Sequence, residues 1–167
     1  ESREHDLANL DLSPTEMRAM GEAVLARVVA HLAGLPDAPS CGDFRGIEAL
    51  CRSMRESVPE QGTALDALLA PLFDEGIPRS FTVPGPGYLA YIPGGGIYPA
   101  ALADFIADTT NRYTGIWQAA PALVQLEANA LDWLRDWMQF PAETRGLFTT
   151  GGSMAMFNAI ACAREKL

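Results

Sequence analysis

Apolar residues recur at helical spacing in two long stretches of the chain, one ahead of residue 35 and one after Pro121. The first stripe consists of Met17, Met20, Val24, Val28 and Leu32. The second stripe consists of Leu123, Leu126, Ala130, Leu131, Leu134 and Met138. Intervals of three and four residues place such side chains on one face, so both stretches predict amphipathic helices. Shorter patterns predict two more helices, within 63–75 and over 98–112.

The start of the first helix is marked by local signals. Ser13, Pro14 and Glu16 combine an N-cap residue, a proline in the first turn and the glutamate of a capping box. The helix should therefore begin at Pro14. Because a polar segment precedes it and a proline-rich segment follows, we expect it to protrude. Its apolar stripe then needs cover from another chain or from a remote part of this one.

Prolines are expected to end two of the other helices. Pro71 should bend or end the helix within 63–75, and Pro141 should stop the helix that begins at Pro121. Two tryptophans, Trp133 and Trp137, lie one turn apart in that last helix. We interpret them as core residues rather than as a platform on which a ligand stacks.

A strand pattern followed by a helix pattern lies near the end of the printed chain. Residues 146–150 predict a short buried strand, and residues 153–164 predict a helix. Between them lie Gly151, Gly152 and Ser153. The first turn of a helix carries unpaired N–H groups and the positive end of the helix dipole, glycines let a ligand approach the backbone, and serine adds a hydroxyl donor. These residues are a candidate phosphate site, although the same Gly-Gly-Ser could simply cap the helix.

A loop rich in glycine and proline spans residues 84–96. Flexible linkers favour Ser, Glu and Lys, but this loop carries the side chains of Tyr88, Leu89, Tyr91 and Ile92. We expect those side chains to be buried in a loop that lines a cleft. A loop packed under a helix, with no ligand, explains the same residue types equally well.

Composition and charge narrow the classes of function. The chain is 49% hydrophobic and 20% charged, as in a soluble globular domain, and it has no apolar run long enough to span a membrane. Its 12 basic residues against 21 acidic ones, a net charge of −9, argue against a nucleic-acid partner, since binding to nucleic acid depends on clustered Lys and Arg. A phosphate would have to be held locally, by backbone and hydroxyl groups.

Cysteine and lysine usage adds two further expectations. Cys41, Cys51 and Cys162 show no paired spacing, which favours a reducing, cytoplasmic location over a disulfide framework and indicates no zinc or other metal site. Lys166 is the only lysine of the printed sequence. The printed sequence therefore offers few residues for a reaction that needs a lysine side chain inside a pocket.

Three segments, in their order and spacing, resemble the group II pyridoxal-phosphate-dependent amino-acid decarboxylases. They are Tyr88-Leu-Ala-Tyr-Ile-Pro-Gly-Gly-Gly, Trp117-Gln-Ala-Ala-Pro-Ala-Leu-Val-Gln-Leu-Glu and Thr149-Thr-Gly-Gly-Ser-Met-Ala. The segment from Leu10 to Met17 also resembles that family's swapped N-terminal helix. The resemblance implies a mostly α fragment with one or two strands, the N-terminal part of an α/β fold similar to aspartate aminotransferase. Residues 1–83 would be a helical arm and connection swapped within a homodimer, and residues 84–167 the incomplete start of the domain that binds pyridoxal 5'-phosphate.

The resemblance gives the glycine turn a role. Gly151, Gly152 and Ser153 match the turn that binds the cofactor phosphate, in agreement with the argument from helix geometry. In that family the lysine that holds the cofactor aldehyde follows a histidine and lies later in the chain. Lys166 does not follow a histidine, so we expect this chain to be unable to catalyse the reaction alone.

The resemblance also implies substrate-binding residues. These are Tyr91, Pro93 and Gly94 in a loop that lines the substrate pocket, and Tyr113 and Ile116 in a segment that reaches a neighbouring subunit's pocket. Two positions depart from the family pattern. Gly115 stands where aromatic-specific members carry an aromatic ring, and Gly94 stands where some relatives place a hydroxyl.

The function implied by the resemblance is that of a carboxy-lyase, of which this chain is the N-terminal portion. The whole enzyme would convert an L-amino acid, aromatic substrates being favoured, into an amine and carbon dioxide. Its partners would be the substrate, the remainder of the enzyme and a second subunit. Two alternatives stay open: a cofactor-free helical dimerisation module on the same scaffold, and a relative that forms an aldehyde. We expect the chain alone to aggregate or to bind a partner.

Overall fold

The computed structural model describes residues 11–92 and 94–165, and the regular structure of these residues is helical. The α-helices are α1 Pro14–Gly34, α2 Ile47–Ser53, α3 Leu65–Ala70, α4 Tyr98–Thr110, α5 Pro121–Trp137 and α6 Gly152–Glu165. Short 3-10 turns cover Leu35–Asp37 and Trp117–Ala119, and a π-helical turn covers Pro71–Gly76. The prediction of a mostly α chain is therefore confirmed.

The predicted strand at residues 146–150 is wrong for the part of the chain that the structure describes. Residues 11–92 and 94–165 contain no strand, and their one isolated β-bridge joins Cys41 to Phe81. A strand is defined by hydrogen bonds to a neighbouring strand, and apolar residue types alone do not supply that neighbour. Leu147 and Phe148 are exposed, as expected for a segment of this kind when the sheet that would cover it is absent from the chain taken alone.

The first turn of α1 has the capping box that the sequence predicts. The Ser13 hydroxyl oxygen accepts a hydrogen bond from the Glu16 N–H at 3.3 Å, and Glu16 Oε2 accepts one from the Ser13 N–H at 2.7 Å. The Ser13 hydroxyl, acting on the Glu16 carboxyl, and then the hydrogen bond from the Ser13 N–H hold the pKa of that carboxyl below its ordinary value. The start of α1 at Pro14 is thus confirmed, together with its cause.

Contacts divide the chain into two compact units, Glu1–Tyr98 and Pro99–Leu167. The division predicted between residues 83 and 84 concerns functional domains, and it stays a prediction. Each unit has one buried apolar residue among those described: Leu69 in the first and Ala120 in the second, both 8% exposed. The described residues therefore contain very little core.

In the first unit, α1 lies against α3 and the turn that follows it. α3 ends at Ala70, where Pro71 was expected to end it, and the chain continues through the π-helical turn. Arg27 of α1 pairs with Asp74 of that turn, with 2.8 Å between Nη1 and Oδ1. Both side chains of this pair remain partly exposed to solvent, so the pair contributes at most about 1 kcal/mol.

Two backbone hydrogen bonds join the long connection after α1 to the segment before residue 84. The Gly42 N–H donates to the Ser80 carbonyl at 2.9 Å, and the Thr82 N–H donates to the Ser40 carbonyl at 3.1 Å. A methyl group on Gly42 would lie 2.2 Å from the Pro78 carbonyl oxygen, so only glycine allows this close approach.

In the second unit, α5 ends before Pro141. Gln139 has a φ of 56°, and the N–H groups of Gln139 and Phe140 donate to the carbonyls of Asp136 and Arg135 at 3.1 Å each. These two bonds form a Schellman motif with glutamine in the left-handed position. The helix therefore stops because the backbone reverses at Gln139, and Pro141 follows the stop.

The tryptophans of α5 were expected to lie in a core, and that expectation is wrong within the described residues. Trp137 is 76% exposed and Trp133 is 60% exposed. Helical spacing correctly placed them on α5, but burial depends on what packs against that face.

No described helix is long and apolar enough to cross a membrane.

Candidate functional site

The turn before α6 has a backbone conformation that requires glycine. Gly151 has a φ of 148°, which side-chain-bearing residues rarely adopt. The Ala155 N–H donates to the Gly151 carbonyl at 3.0 Å, and this bond closes the first turn of α6. The N–H groups of Gly152, Ser153 and Met154 precede that bond, so they have no partner inside the helix.

This glycine turn is open rather than covered by other side chains. A methyl group on Gly151 or Gly152 would meet no heavy atom within 4 Å, apart from its immediate surroundings in the chain. Gly151, Gly152 and Ser153 are all exposed. Backbone N–H groups, a serine hydroxyl and the positive end of α6 are therefore accessible together, which is the chemistry that binds a phosphate.

Thr149 is a residue of this turn to which the sequence analysis gave no role. Its hydroxyl Oγ1 donates to the Gly151 carbonyl at 3.1 Å, and Thr149 is half-buried. The bond fixes the peptide that leads into α6. A threonine two residues ahead of a glycine turn is the only sequence signal for this role, and it is a weak one.

The loop that carries Tyr91 belongs to the first unit. Leu89, Tyr91 and Ile92 were expected to be buried, yet they are 93%, 80% and 98% exposed. Tyr88 alone is half-buried, and its ring lies 6.0 Å from that of Phe81. Their apolar character predicted burial, but within the described chain nothing covers these three side chains.

The backbone at Tyr91 is strained. Its φ of 61° lies in the left-handed region, which costs a residue with a side chain roughly 1–2 kcal/mol. Strain of this kind concentrates at binding and catalytic sites, so the geometry is compatible with the predicted role. Gly94 is exposed, and Pro93 lies outside the described residues.

The segment that carries Tyr113 belongs to the second unit. Tyr113 is 66% exposed and Ile116 is 54% exposed. The structure brings Tyr113 into contact with Gly115, since a methyl group on Gly115 would lie 2.5 Å from the Tyr113 phenol oxygen. Sequence spacing gave no indication of this contact, because it depends on the conformation of one side chain.

Comparison with known proteins identifies the family to which this glycine turn and its chain belong. A sequence model of the pyridoxal-dependent decarboxylase conserved domain matches residues 48–167, most of the chain. The chain belongs to the pyridoxal-dependent decarboxylase family. The predicted family membership is thus confirmed, and so is the predicted cofactor, since pyridoxal phosphate is the cofactor of this family.

Individual relatives agree with this assignment. The chain is 32% identical to the aromatic-L-amino-acid decarboxylase of Bacillus atrophaeus over 157 residues, which are 94% of this chain and 32% of that protein. It is 26% identical to the L-2,4-diaminobutyrate decarboxylase of Rhizobium meliloti over 133 residues, which are 80% of this chain and 27% of that protein. The chain thus spans about a third or less of the length of the curated relatives it matches.

The fold also resembles a solved structure. The crystal structure of Oryza sativa TDC with PLP matches with a TM-score of 0.71 and 22% sequence identity. The match covers 84% of this chain and 30% of that one. At this identity the likeness concerns the fold alone.

Proposed function

We propose that this chain is the N-terminal portion of a pyridoxal-phosphate-dependent L-amino-acid decarboxylase that favours aromatic substrates. The whole enzyme converts the amino acid into an amine and carbon dioxide. The observation that carries the proposal is the open glycine turn at the start of α6, in a chain whose family match runs through that turn. The similarity to an aromatic-L-amino-acid decarboxylase supports the choice of substrate class.

The turn before α6 holds the phosphate of the cofactor. The N–H groups of Gly152 and Ser153 and the Ser153 hydroxyl donate to the phosphate oxygens, and Gly151 gives them room to approach. The dipole of α6 adds a partial positive charge at this point. A local arrangement of this kind suits a chain with a net charge of −9, which offers no broad basic surface. When bound there, the cofactor would supply an electron sink for the bond that breaks to release carbon dioxide.

Two exposed segments form the wall of the amino-acid site. Tyr91, Pro93 and Gly94 line the pocket from one loop, and Tyr113 and Ile116 reach it from the neighbouring subunit of a homodimer. The strained backbone of Tyr91 and the exposure of Tyr91, Tyr113 and Ile116 support these roles. Large side chains without cover in the described chain are available to contact a substrate or a second subunit.

The remaining parts of the enzyme complete the site. Residues 1–83 act as the helical arm swapped within the homodimer, and the exposed stripe of α1 supports this role, since Met17 and Met20 lack cover. Residues 84–167 begin the α/β domain of the aspartate-aminotransferase type, whose sheet and reactive lysine come from the remainder of the enzyme. Such an enzyme works in the cytoplasm.

The proposal is tested with the full-length enzyme that contains this chain. The purified enzyme is loaded with pyridoxal phosphate, and each of the twenty L-amino acids is offered in turn. We expect visible absorbance from bound cofactor and one amine with one carbon dioxide per aromatic amino acid consumed. An aldehyde and ammonia in place of the amine would identify an aldehyde synthase. A protein that takes up no cofactor would instead be the interaction module, and the proposal would be wrong.

A further inference from the structure

The ring of Tyr113 lies over the α-carbon of Gly115, on the side where a side chain would project. A methyl group on Gly115 would lie 2.5 Å from the Tyr113 phenol oxygen, 2.6 Å from Cζ and 3.0 Å from Cε2. Distances under 3 Å are closer than carbon atoms approach one another without displacement. Any residue other than glycine at position 115 therefore moves the Tyr113 ring.

The backbone at position 115 does not itself call for glycine. Among the described residues the glycines with a positive φ are Gly46 and Gly151, and Gly115 is not one of them. The φ of Gly115 is therefore not a reason for glycine at this position. Glycine at position 115 thus serves to leave room for the phenol.

The segment that carries Tyr113 is anchored at its other end. The Ala119 N–H donates to the Ile116 carbonyl at 3.0 Å, and the Ala120 N–H donates to the Trp117 carbonyl at 3.3 Å. Ala120, one of the two buried apolar residues described, immediately precedes α5. The 3-10 turn and α5 therefore fix the position of the C-terminal end of the segment that carries Tyr113.

The Tyr113 hydroxyl keeps its hydrogen-bonding capacity for a ligand. The side chain is largely exposed, and none of the described residues forms a hydrogen bond with its hydroxyl. A phenol both donates and accepts a hydrogen bond. At the wall of an amino-acid site it can pair with a polar group on the substrate, whereas Ile116 offers only apolar contact.

We propose that the Tyr113 hydroxyl, seated over Gly115, recognises a ring hydroxyl on an aromatic amino-acid substrate. The inference rests on the proposed function, which places Tyr113 in the substrate site. A hydroxylated ring completes the hydrogen bond of Tyr113, and an unsubstituted ring leaves that hydroxyl without a partner once water is excluded. A site that forms such a bond discriminates against the analogue that lacks it.

The test compares tyrosine with phenylalanine in the full-length enzyme. We expect the wild-type enzyme to prefer tyrosine in kcat/KM, and Tyr113→Phe to reduce the tyrosine-to-phenylalanine ratio about fivefold, the effect of losing one hydrogen bond. Calorimetric titration with the product amines gives a readout without turnover. The affinity ratio of tyramine to 2-phenylethylamine should fall by a similar factor in Tyr113→Phe.

A second variant tests the part played by Gly115. Gly115→Ala keeps the phenol but displaces it, so both ratios should fall as they do in Tyr113→Phe. Tyr98→Phe removes a phenol elsewhere in the chain and should leave both ratios unchanged. The inference is overturned if the wild-type enzyme decarboxylates aromatic amino acids but Tyr113→Phe keeps the wild-type ratios. If the wild-type enzyme decarboxylates no amino acid, the proposed function itself fails and this inference fails with it.

Discussion

Two helices of this chain begin in opposite ways. α1 begins with side chains that satisfy its own backbone, because Ser13 and Glu16 exchange hydrogen bonds across the first turn. α6 begins after Gly151, which has no side chain to accept such a bond, and the space around that turn is open. A capped start uses its N–H groups for stability. A start opened by glycine leaves the same groups available to an anion.

The difference shows why the positive end of a helix dipole can serve a different purpose in α1 and in α6. Both helices are long enough for their first turn to carry a partial positive charge, so helix length and dipole do not separate them. What separates them is the residue ahead of the helix. Serine with a glutamate three residues later closes the turn, and a glycine with a φ of 148° holds it open.

The largest effect is expected from closing the open turn. Gly151→Ala in the full-length enzyme forces a side-chain-bearing residue into a conformation that costs on the order of 1–3 kcal/mol. We expect the affinity for pyridoxal phosphate to fall by up to about 100-fold, since the upper end of that range, about 3 kcal/mol, corresponds to that factor. The measurement is a titration of the apoenzyme with the cofactor, followed by visible absorbance.

The matched control for that variant is Gly21→Ala in the interior of α1. A methyl group on Gly21 would meet no heavy atom within 4 Å outside its own stretch of helix, so the substitution should leave cofactor affinity unchanged and stabilise the helix by up to about 1 kcal/mol. Equal cofactor affinity in Gly151→Ala and the wild-type enzyme would show that the two helix starts do not differ in function.

A smaller loss is expected from removing the hydroxyl at the open turn. Ser153→Ala deletes one hydrogen bond to a charged group, worth about 1.5–3 kcal/mol, so cofactor affinity should fall about 10- to 100-fold in the same titration. Ser153→Thr keeps a hydroxyl and should retain most of the affinity. If the Ser153→Ala enzyme binds the cofactor as tightly as the Ser153→Thr enzyme does, Ser153 does not bind the phosphate.

The corresponding change at the closed turn should affect stability alone. Ser13→Ala removes the N-cap of α1 at a cost of about 1 kcal/mol, so amide hydrogens in the first turns of α1 should exchange about fivefold faster. Ser13→Asp, another good cap, should restore protection. Because this turn contributes to no anion site, cofactor affinity should not change, and a weakened cofactor in Ser13→Ala would contradict the division of roles.

The smallest effect is a pH dependence confined to α1. The pKa of Glu16 is lowered in the folded state by its hydrogen bonds with Ser13. Its contribution to stability is therefore present above the ordinary pKa of glutamate and is lost as the pH falls through the lowered value. An NMR titration should show the first turn of α1 fraying on acidification. Ser13→Ala removes the hydroxyl and should raise the pKa of Glu16 toward its ordinary value, and an unchanged pKa would show that the Ser13 hydroxyl is not a cause.

Local signals in the sequence predicted the helices well. The start of α1 depends on Ser13 and Glu16, which lie within one turn of each other, and the start of α5 depends on Pro121. The end of α5 was predicted only approximately, because glutamine gives little warning of the left-handed conformation found at Gln139. The described turn of Gly151 and Gly152 was also predictable, since glycine is the residue that such a backbone needs.

Properties that depend on distant parts of the chain were not predictable in the same way. Burial of Trp133 and Trp137, and the strand at 146–150, require packing partners and a neighbouring strand that local patterns do not specify. The contact between Tyr113 and Gly115 depends on one side-chain torsion. The substrate roles of individual residues came from a resemblance to a family, whereas the phosphate role of the glycine turn also came from helix geometry, and these roles remain predictions.

The scarcity of buried side chains has a thermodynamic consequence. With Leu69 and Ala120 as the only buried hydrophobic side chains among the described residues, unfolding would expose little additional apolar surface. The heat-capacity change and the urea dependence of unfolding both scale with newly exposed surface, so both should be small for this chain in isolation. Its helices would then unwind gradually and separately on heating, and cooperative melting would arise only once other polypeptide covers their apolar faces.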